Sequence, residues 1–189
     1  YALSHLFHFP ADTFKDEMGE YDRAAAWKAF RTMQASMLVH GVEFWHGLEY
    51  RSNLMGRYRM FKSLPGEMQF IPSWQANGLF KVANNDPNLD VAVYKKDKAL
   101  LVTVANYAKE GRRTDVWFDF PRLLPAPDKL EVRSIYDLET MEGPGYVVKE
   151  GGTPNFTISQ PAHVNFNVGP RDFKAYLIVN EPVAQGAGF

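Results

Sequence analysis

The sequence contains no cysteine. This absence excludes thiol catalysis, thiolate zinc sites and disulfide bridges. It leaves the compartment unknown, because secreted bacterial proteins often lack cysteine too, and a secreted or periplasmic bacterial protein is therefore one option. Long apolar runs are also missing. No stretch of about 18 apolar residues occurs, so the sequence predicts no membrane span.

A large excess of one charge is likewise absent. The formal net charge is -1, and charged residues make up 23% of the chain. Nucleic-acid-binding proteins usually carry a strong basic excess, so we expect no nucleic-acid partner. The sequence also lacks a phosphate-binding glycine loop, an H-E-x-x-H zinc motif and a G-x-S-x-G nucleophile motif. Nothing in it indicates a cofactor.

The chain does contain enough apolar material for a sizeable core. It has 189 residues, of which 46% are hydrophobic and 14% aromatic. A chain of this length buries about 70% of its unfolded surface, enough for one large domain or one domain and part of another. It opens YALSHLFHFP, without Met and without a basic segment before an apolar one. We interpret it as a piece of a longer protein.

Residues 1–70 show helical periodicity in two places. Asp22 is placed to cap a first helix, and Gly41 is placed to end it in a left-handed conformation. A second helix is expected from Ser52 to Leu64. The apolar residues of the first helix recur at spacings of three and four: Ala26, Trp27, Phe30, Met33, Met37 and Leu38.

Two apolar runs alternate with these helices. One extends from Leu3 to Phe9, and the other is Val42-Glu43-Phe44-Trp45, between the helices. The order strand, helix, strand, helix is the repeat of a parallel α/β architecture.

From Leu79 onward the pattern is that of short strands separated by turn residues, which predicts an antiparallel sandwich or barrel. Leu100-Leu101-Val102 is apolar on both faces, so its strand should be central. The expected strands are Gly78–Ala83, Asp90–Lys95, Ala99–Tyr107, Thr114–Phe120, Leu130–Asp137, Tyr146–Lys149, Asn155–Ser159, His163–Val168 and Phe173–Asn180.

The order of these strands resembles the β-sandwich that follows the catalytic barrel in many glycoside hydrolases. In the first half, Gly41–Gly47 looks like a last barrel strand and Ser52–Leu64 like a last barrel helix, as in large uncharacterised bacterial proteins related to glycoside hydrolase family 123. Four segments carry the resemblance of the sandwich: Ala99–Asn106, a strand ending on Asn; Val116–Phe120, with alternating apolar residues; Ile135–Met141, similar to a D-x-x-T-G turn; and Phe173–Val179, a closing strand.

The resemblance implies an α+β fold overall: N-terminal strand/helix units from the end of a β/α barrel (1–70), a linker (71–77), an antiparallel β-sandwich (78–181) and a frayed tail (182–189). It implies hydrolysis of a glycosidic bond, a carbohydrate substrate, and the remainder of the barrel as a partner. Such hydrolysis commonly uses two carboxyl groups at barrel strand ends. Only about two barrel strands would lie in this chain, so we expect the catalytic carboxylates outside it and a mainly structural sandwich. The expected contacts with the barrel units are Phe70, Ile71, Trp74 and Phe80.

The run before Gly47 offers candidate substrate-binding residues. Trp45 can stack on a sugar ring, His46 can hydrogen-bond hydroxyls, and Glu43 can act as an acid or base. Glu49 follows on the loop. The alternative is a buried Trp with a satisfied polar neighbour and a solvated loop. The helical spacing of His40, Glu43, His46 and Glu49 would suit a metal site, but Gly41 and Gly47 argue against a continuous helix.

Further candidates lie elsewhere. His8 could reach a substrate if its strand ends at Pro10. Trp74 could bind sugar, although a wedge between the two units is favoured. Asp86-x-Asn88-x-Asp90 begins with the spacing of a calcium loop but lacks the following Gly and the late Glu, so an Asn- and Asp-rich turn is favoured over a metal site.

A non-catalytic carbohydrate-binding or structural surface module is the main alternative function. It needs an exposed aromatic platform, for which Trp117, Tyr107 and Tyr146 are candidates. Alternation with Val116 and Phe118 predicts that Trp117 points outward. A structural domain without a ligand is a third possibility.

Overall fold

The computed structural model describes residue 15 and residues 22–42, 53–83, 86–125, 131–137, 145–146, 156–160 and 163–182. Its helices are α1 (Arg23–Val39), α2 (Asn53–Ser63) and the short α3 (Phe120–Leu123). A 3-10 helix spans Ser73–Gln75. Its strands are β1 (Gln69–Pro72), β2 (Phe80–Val82), β3 (Leu89–Lys95), β4 (Ala99–Asn106), β5 (Arg112–Phe118), β6 (Glu131–Asp137), β7 (Gly145–Tyr146), β8 (Phe156–Gln160), β9 (His163–Val168) and β10 (Asp172–Pro182).

These strands form two antiparallel sheets. The six-stranded sheet has the order β1-β3-β4-β10-β6-β7, and the four-stranded sheet has the order β2-β5-β9-β8. The described residues contain no closed barrel. The predicted α+β class with an antiparallel sandwich is therefore confirmed.

Strand β4 shows why the sequence pattern identifies the centre of the fold. It lies between β3 and β10, and all of its residues are buried. Leu100 and Val102 face the core between the two sheets, whereas Leu101 and Ala105 face the helices. Because successive strand residues point to opposite faces, a strand covered on both sides reads as a continuous apolar run.

The core between the sheets consists of the inward residues of both. Val91, Val104 and Ile178 come from the six-stranded sheet and meet Val116 and Phe166 of the four-stranded sheet. Phe166 also packs on Tyr176, with ring centroids 4.6 Å apart. Burial of such side chains contributes about 1.5–3 kcal/mol each, which makes this layer the main source of stability in the sandwich.

A helical layer covers the outer face of the six-stranded sheet. Leu38 of α1 and Phe61 of α2 share a second apolar core with the outward residues of β3, β4 and β10. Asp22 caps α1 by accepting hydrogen bonds from the backbone N–H groups of Ala24 and Ala25. Gly41 follows the helix with φ +68°. The predicted cap and the predicted left-handed glycine are both confirmed.

Buried polar contacts reinforce this layer. The ammonium group of Lys96, in the turn after β3, donates to the carbonyls of Leu64 at 3.0 Å and Gly66 at 2.7 Å. The hydroxyl of Tyr94 donates to the carbonyl of Leu38. The Leu38 carbonyl lies in the last turn of α1 and the Leu64 carbonyl directly follows α2, so these bonds satisfy carbonyl groups that have no partner further along a helix. The Gly66 carbonyl lies in the turn beyond α2.

Two details differ from the expected arrangement. Residues 71–77, expected as a linker, hold the end of β1 and the 3-10 helix, and Ile71 pairs with Val93 inside the six-stranded sheet. Ile71 and Phe80 lie in the core between the sheets instead of contacting the helices, whereas Phe70 packs in the helical layer.

Residues 1–14, 43–50 and 183–189, which include the first expected strand, most of the second and nearly all of the expected tail, lie outside the described residues. No described helix has the length and hydropathy of a membrane span.

Candidate functional site

A groove opens at the edge of the sandwich, between the 3-10 helix and strand β2. Its volume is about 460 Å³. Its polar residues are Ser73, Lys81 and Asp86, and one aromatic ring, that of Trp74, stands beside them. The remaining lining residues are Phe80, Val82, Pro87, Leu89 and Val91. The groove thus combines an apolar floor with a few polar groups, as small-ligand sites commonly do.

Trp74 lies where the helical layer meets the sandwich. Its indole lies 5.6 Å from the His40 imidazole, ring centre to ring centre. His40 is the C-cap residue of α1, and its Nδ1 lies 2.8 Å from the Ser36 carbonyl oxygen. A wedge between two units would be buried, yet Trp74 is 58% exposed. Trp74 therefore touches the helical layer while presenting most of its surface to solvent.

Hydrogen bonds hold the polar side of the groove. The Ser73 hydroxyl donates to Asp90 Oδ1 at 3.0 Å, which fixes the start of the 3-10 helix against β3. Asp90 Oδ1 also accepts the backbone N–H of Val91. Since this carboxylate is held by protein donors, it positions the groove wall.

Asp86 forms the turn that the Asn- and Asp-rich segment predicts. Its Oδ1 accepts the backbone N–H of Asn88 at 2.9 Å and the side-chain amide at 3.1 Å. These bonds, with the Arg112 guanidinium nearby, hold the pKa of the Asp86 carboxyl below its usual range. Asp86 therefore contributes a negative charge to the groove at neutral pH, opposite the positive charge of Lys81.

No group of three or more His, Cys, Asp or Glu side chains within the described part of the chain is arranged to hold a metal ion. Calcium binding at Asp86, Asn88 and Asp90 stays a prediction. The helical metal set that begins at His40 is interrupted, because α1 ends at Val39 and Gly41 follows with a positive φ.

The structure places the predicted site residues as follows. Trp74 and Asp86, considered separately in the sequence, line the same groove, and Asn88 and Asp90 support its wall. Ser73 and Lys81 were not predicted. Ser73 has no signal of its own in the sequence. For Lys81 the signal is alternation, which places it on the opposite face of β2 from Phe80 and Val82. The other candidates, His8, Glu43, Trp45, His46 and Glu49, lie outside the described residues.

The three platform candidates differ in exposure. Trp117 points outward and is 43% exposed, as the alternation in β5 predicts. Tyr107 is half-buried, so it offers little surface for a platform. Burial together with the charge of Asp90 raises the pKa of its hydroxyl to about 12. The side chain of Tyr146 lies outside the described part of the chain.

Comparison with known proteins finds no matching family model and no matching curated protein. Parts of several solved structures are similar. A GH27 β-L-arabinopyranosidase from Geobacillus stearothermophilus shares 14% identity over 53% of this chain, with a TM-score of 0.35. A maltogenic α-amylase from Thermotoga neapolitana shares 12% over 67%, with a TM-score of 0.37. A family 30 subfamily 8 xylanase from Clostridium acetobutylicum shares 11% over 67%, with a TM-score of 0.34.

The chain spans only 19%, 24% and 27% of the lengths of these three proteins, respectively. All three TM-scores are below 0.5. The relation to glycoside hydrolase family 123 stays a prediction.

Proposed function

We propose that this chain is the sandwich-bearing part of a carbohydrate-active enzyme that hydrolyses glycosidic bonds. In this proposal the sandwich has a mainly structural role, and the catalytic carboxylates come from residues outside the chain. The single observation that carries the structural role is the apolar core between the helical layer and the six-stranded sheet.

That core occupies the outer face of the three adjacent strands β3, β4 and β10. Leu101 and Ala105 are fully buried beneath the helices, and Phe173 is 1% exposed. A sheet face sealed in this way is unavailable to a ligand, so its role is to hold the helices in place. The carbohydrate class is supported by the sequence resemblance of the segments Ala99–Asn106 and Phe173–Val179 to the sandwich of glycoside hydrolases.

The groove beside Trp74 fits the rim of a sugar site. An exposed indole offers an apolar face to the C–H groups of a sugar ring, and Ser73, Lys81 and Asp86 offer hydrogen-bonding groups around it. Trp74 also contacts His40, at the end of α1. Residues supplied from beyond the helical layer would complete the site from that side.

The proposal is tested by two assays run side by side. The complete gene product and the 189-residue chain are each incubated with a panel of nitrophenyl glycosides and with xylan, starch, β-glucan and galactan. We expect the gene product to hydrolyse at least one substrate and the chain alone to hydrolyse none. Turnover by the chain alone at ordinary enzymatic rates, about 1–1000 per second, would contradict the proposal, as would a gene product inactive on the whole panel.

The role of Trp74 is measured in the same gene product. Trp74→Ala should raise KM about tenfold with little change in kcat, because lost stacking weakens ground-state and transition-state binding alike. Met60→Ala is the matched control, since Met60 is an exposed apolar residue on α2 away from the groove. An unchanged KM in Trp74→Ala would remove the groove from the proposed sugar site.

A further inference from the structure

The outer face of the four-stranded sheet has a composition unlike that of the other sheet. Along β5 the residues that alternate with the core are Arg113, Asp115 and Trp117, along β9 they are His163, Asn165 and Asn167, and on β2 Lys81 pairs with Trp117. The helical layer packs on the six-stranded sheet, so this second outer face lies on the opposite side of the sandwich from the helices. Its described side chains are polar except for one large aromatic ring, that of Trp117.

The ring of Trp117 is held in a fixed orientation. Trp117 and His163 stand directly opposite each other on β5 and β9, and their rings stack with centroids 4.7 Å apart and planes inclined by 17°. One face of the indole is therefore occupied by the imidazole. Lys81 of β2 is the neighbour of Trp117 on its other side. Since Trp117 is 43% exposed, its accessible surface lies on the side that faces Lys81 and at the outer edge of the ring.

A row of polar side chains continues from this ring along β5. Asp115 lies two residues before Trp117, and its Oδ1 is 4.0 Å from His163 Nε2. This oxygen is buried and accepts no hydrogen bond within the described part of the chain, whereas the Asp115 side chain as a whole is 33% exposed. Arg113 comes next, and its Nε donates to the side-chain oxygen of Asn165 at 2.8 Å, which fixes the guanidinium on the sheet. From Trp117 to Arg113 the row extends about 13 Å.

The chemistry of this face selects among ligand classes. The carboxylate of Asp115 lies on this face together with the cations Lys81 and Arg113. Charges of both signs therefore line it, and an uncharged ligand fits better than nucleic acid, which binds a surface of basic residues. Among the large apolar side chains exposed in the described part of the chain, only Trp117 belongs to this sheet. A protein partner would bury about 800 Å² per side around an apolar centre, and one ring does not supply that centre.

We propose that this face binds an uncharged oligosaccharide chain. One sugar ring stacks on the open side of the Trp117 indole, and hydroxyl groups of that ring and its neighbours bind Asp115 and Arg113. Because the row is longer than a single sugar ring, the ligand is an oligosaccharide instead of a monosaccharide. Lys81 lines the Trp74 groove and also pairs with Trp117, so the two sites adjoin at this side chain but stack the sugar on different indoles. Binding at Trp117 does not depend on hydrolysis.

The test measures binding by the 189-residue chain to cellohexaose, xylohexaose, maltohexaose and mannohexaose, using isothermal titration calorimetry. We expect at least one hexasaccharide to bind, and Trp117→Ala to weaken that binding by about tenfold or more, equivalent to about 1.4 kcal/mol. Asp115→Ala should weaken it as well and provides a second variant should Trp117→Ala fail to fold. Met60→Ala, which removes an exposed apolar side chain on α2, should bind as the unmodified chain does, and Trp74→Ala is measured beside it to detect any binding in the groove.

Three results would overturn the proposal. The first is no heat of binding with any of the four hexasaccharides. The second is binding that Trp74→Ala abolishes and Trp117→Ala leaves intact, which would place the ligand in the groove. The third is self-association of the chain that Trp117→Ala disrupts in sedimentation velocity, which would make this face a contact between copies. None of these results bears on hydrolysis by the complete gene product, so failure here and failure of the proposed function are distinguishable.

Discussion

The guanidinium of Arg31 in α1 donates a hydrogen bond to the carboxylate of Asp172 at the start of β10. The same side chain donates through Nη2 to the backbone carbonyl of Phe173 at 2.9 Å, and its Cζ lies 4.7 Å from the centre of the Phe173 ring. Arg31 is only 7% exposed. This buried cation thus connects the helical layer to an interior strand of the sheet, and substituting Asp172 removes its carboxylate partner.

Asp172→Ala should therefore lower the free energy of unfolding by about 2 kcal/mol. The expected loss is below the full cost of breaking a buried ion pair, because Asp172 is partly exposed. Urea denaturation at neutral pH measures it. The control is Arg122→Ala, which breaks an exposed pair with Asp119 at 3.3 Å and should cost less than about 0.5 kcal/mol. Equal losses of unfolding free energy in the two variants would show that the buried contact of Arg31 with Asp172 stabilises the fold no more than an exposed ion pair does.

Gly41 provides a test of the junction between α1 and β1. Its φ is +68°, and a Cβ there would come within 2.8 Å of the Phe70 ring. Gly41→Ala should destabilise the chain by about 1–3 kcal/mol, through backbone strain and displacement of that ring. Gly111→Ala is the matched control, since its Cβ would meet only the Val168 carbonyl oxygen at 3.7 Å. Thermal unfolding of both variants should show a lower Tm for Gly41→Ala alone.

Asn106 connects the ends of the two sheets. Its Nδ2 lies within hydrogen-bonding distance of the carbonyls of Glu110, Val168 and Gly169, and its Oδ1 accepts the backbone N–H of Ala108. Asn106→Asp should cost about 3 kcal/mol at neutral pH, because a carboxylate oxygen would face the carbonyls where a donor belongs. Part of the loss should be recovered in acid, where a protonated carboxyl can donate again.

The same substitution at an exposed position provides the control for Asn106. Asn167→Asp, on the open face of β9, should change the free energy of unfolding by no more than about 0.5 kcal/mol. A loss at Asn106 that matched this small value, or that did not shrink in acid, would contradict the role of its amide.

The lowered pKa of Asp86 predicts how the stability of the fold changes with pH. Its pKa is lower in the folded chain than the ordinary value of 3.8, chiefly because the Asn88 backbone N–H binds the charged form. The carboxylate therefore stabilises the fold above the unfolded pKa, and this contribution is lost as the pH falls through the folded pKa. Asp86→Asn should be less stable than the unmodified chain at pH 6, and the gap should close in strong acid. A gap of constant size across that range would show that the charge of Asp86 contributes nothing.

Helix caps, turn residues and apolar alternation in the sequence correctly predicted the helix and the strands whose ends such residues mark. The cap at Asp22 and the glycine at position 41 identify α1, and β9 begins and ends at the predicted residues, His163 and Val168. Strand β1 was missed, because its four residues end in Pro72 and their extended form comes from pairing with β3. A short edge strand of this kind has no pattern of its own.

The candidate sites show the same limit. Outward orientation of Trp117 follows from alternation within β5. The stacking of Trp117 on His163 follows from the register between β5 and β9, two strands that are far apart in the chain. The meeting of Trp74 and Asp86 likewise depends on how β1, β2 and β3 are arranged in space. Pairing between distant strands is set by tertiary packing, which single-sequence patterns do not encode.

The structural role proposed for the sandwich rests on the helices and the sheet being one folded unit. The most direct measurement is hydrogen exchange of the 189-residue chain, comparing the free energy of opening for amides in α1 and in β4. We expect the most protected amides of both segments to exchange only through global unfolding, with equal free energies and an equal loss in Asp172→Ala. Rapid exchange throughout α1 while β4 stays protected would contradict the account, because the helical layer would then be separable from the sandwich.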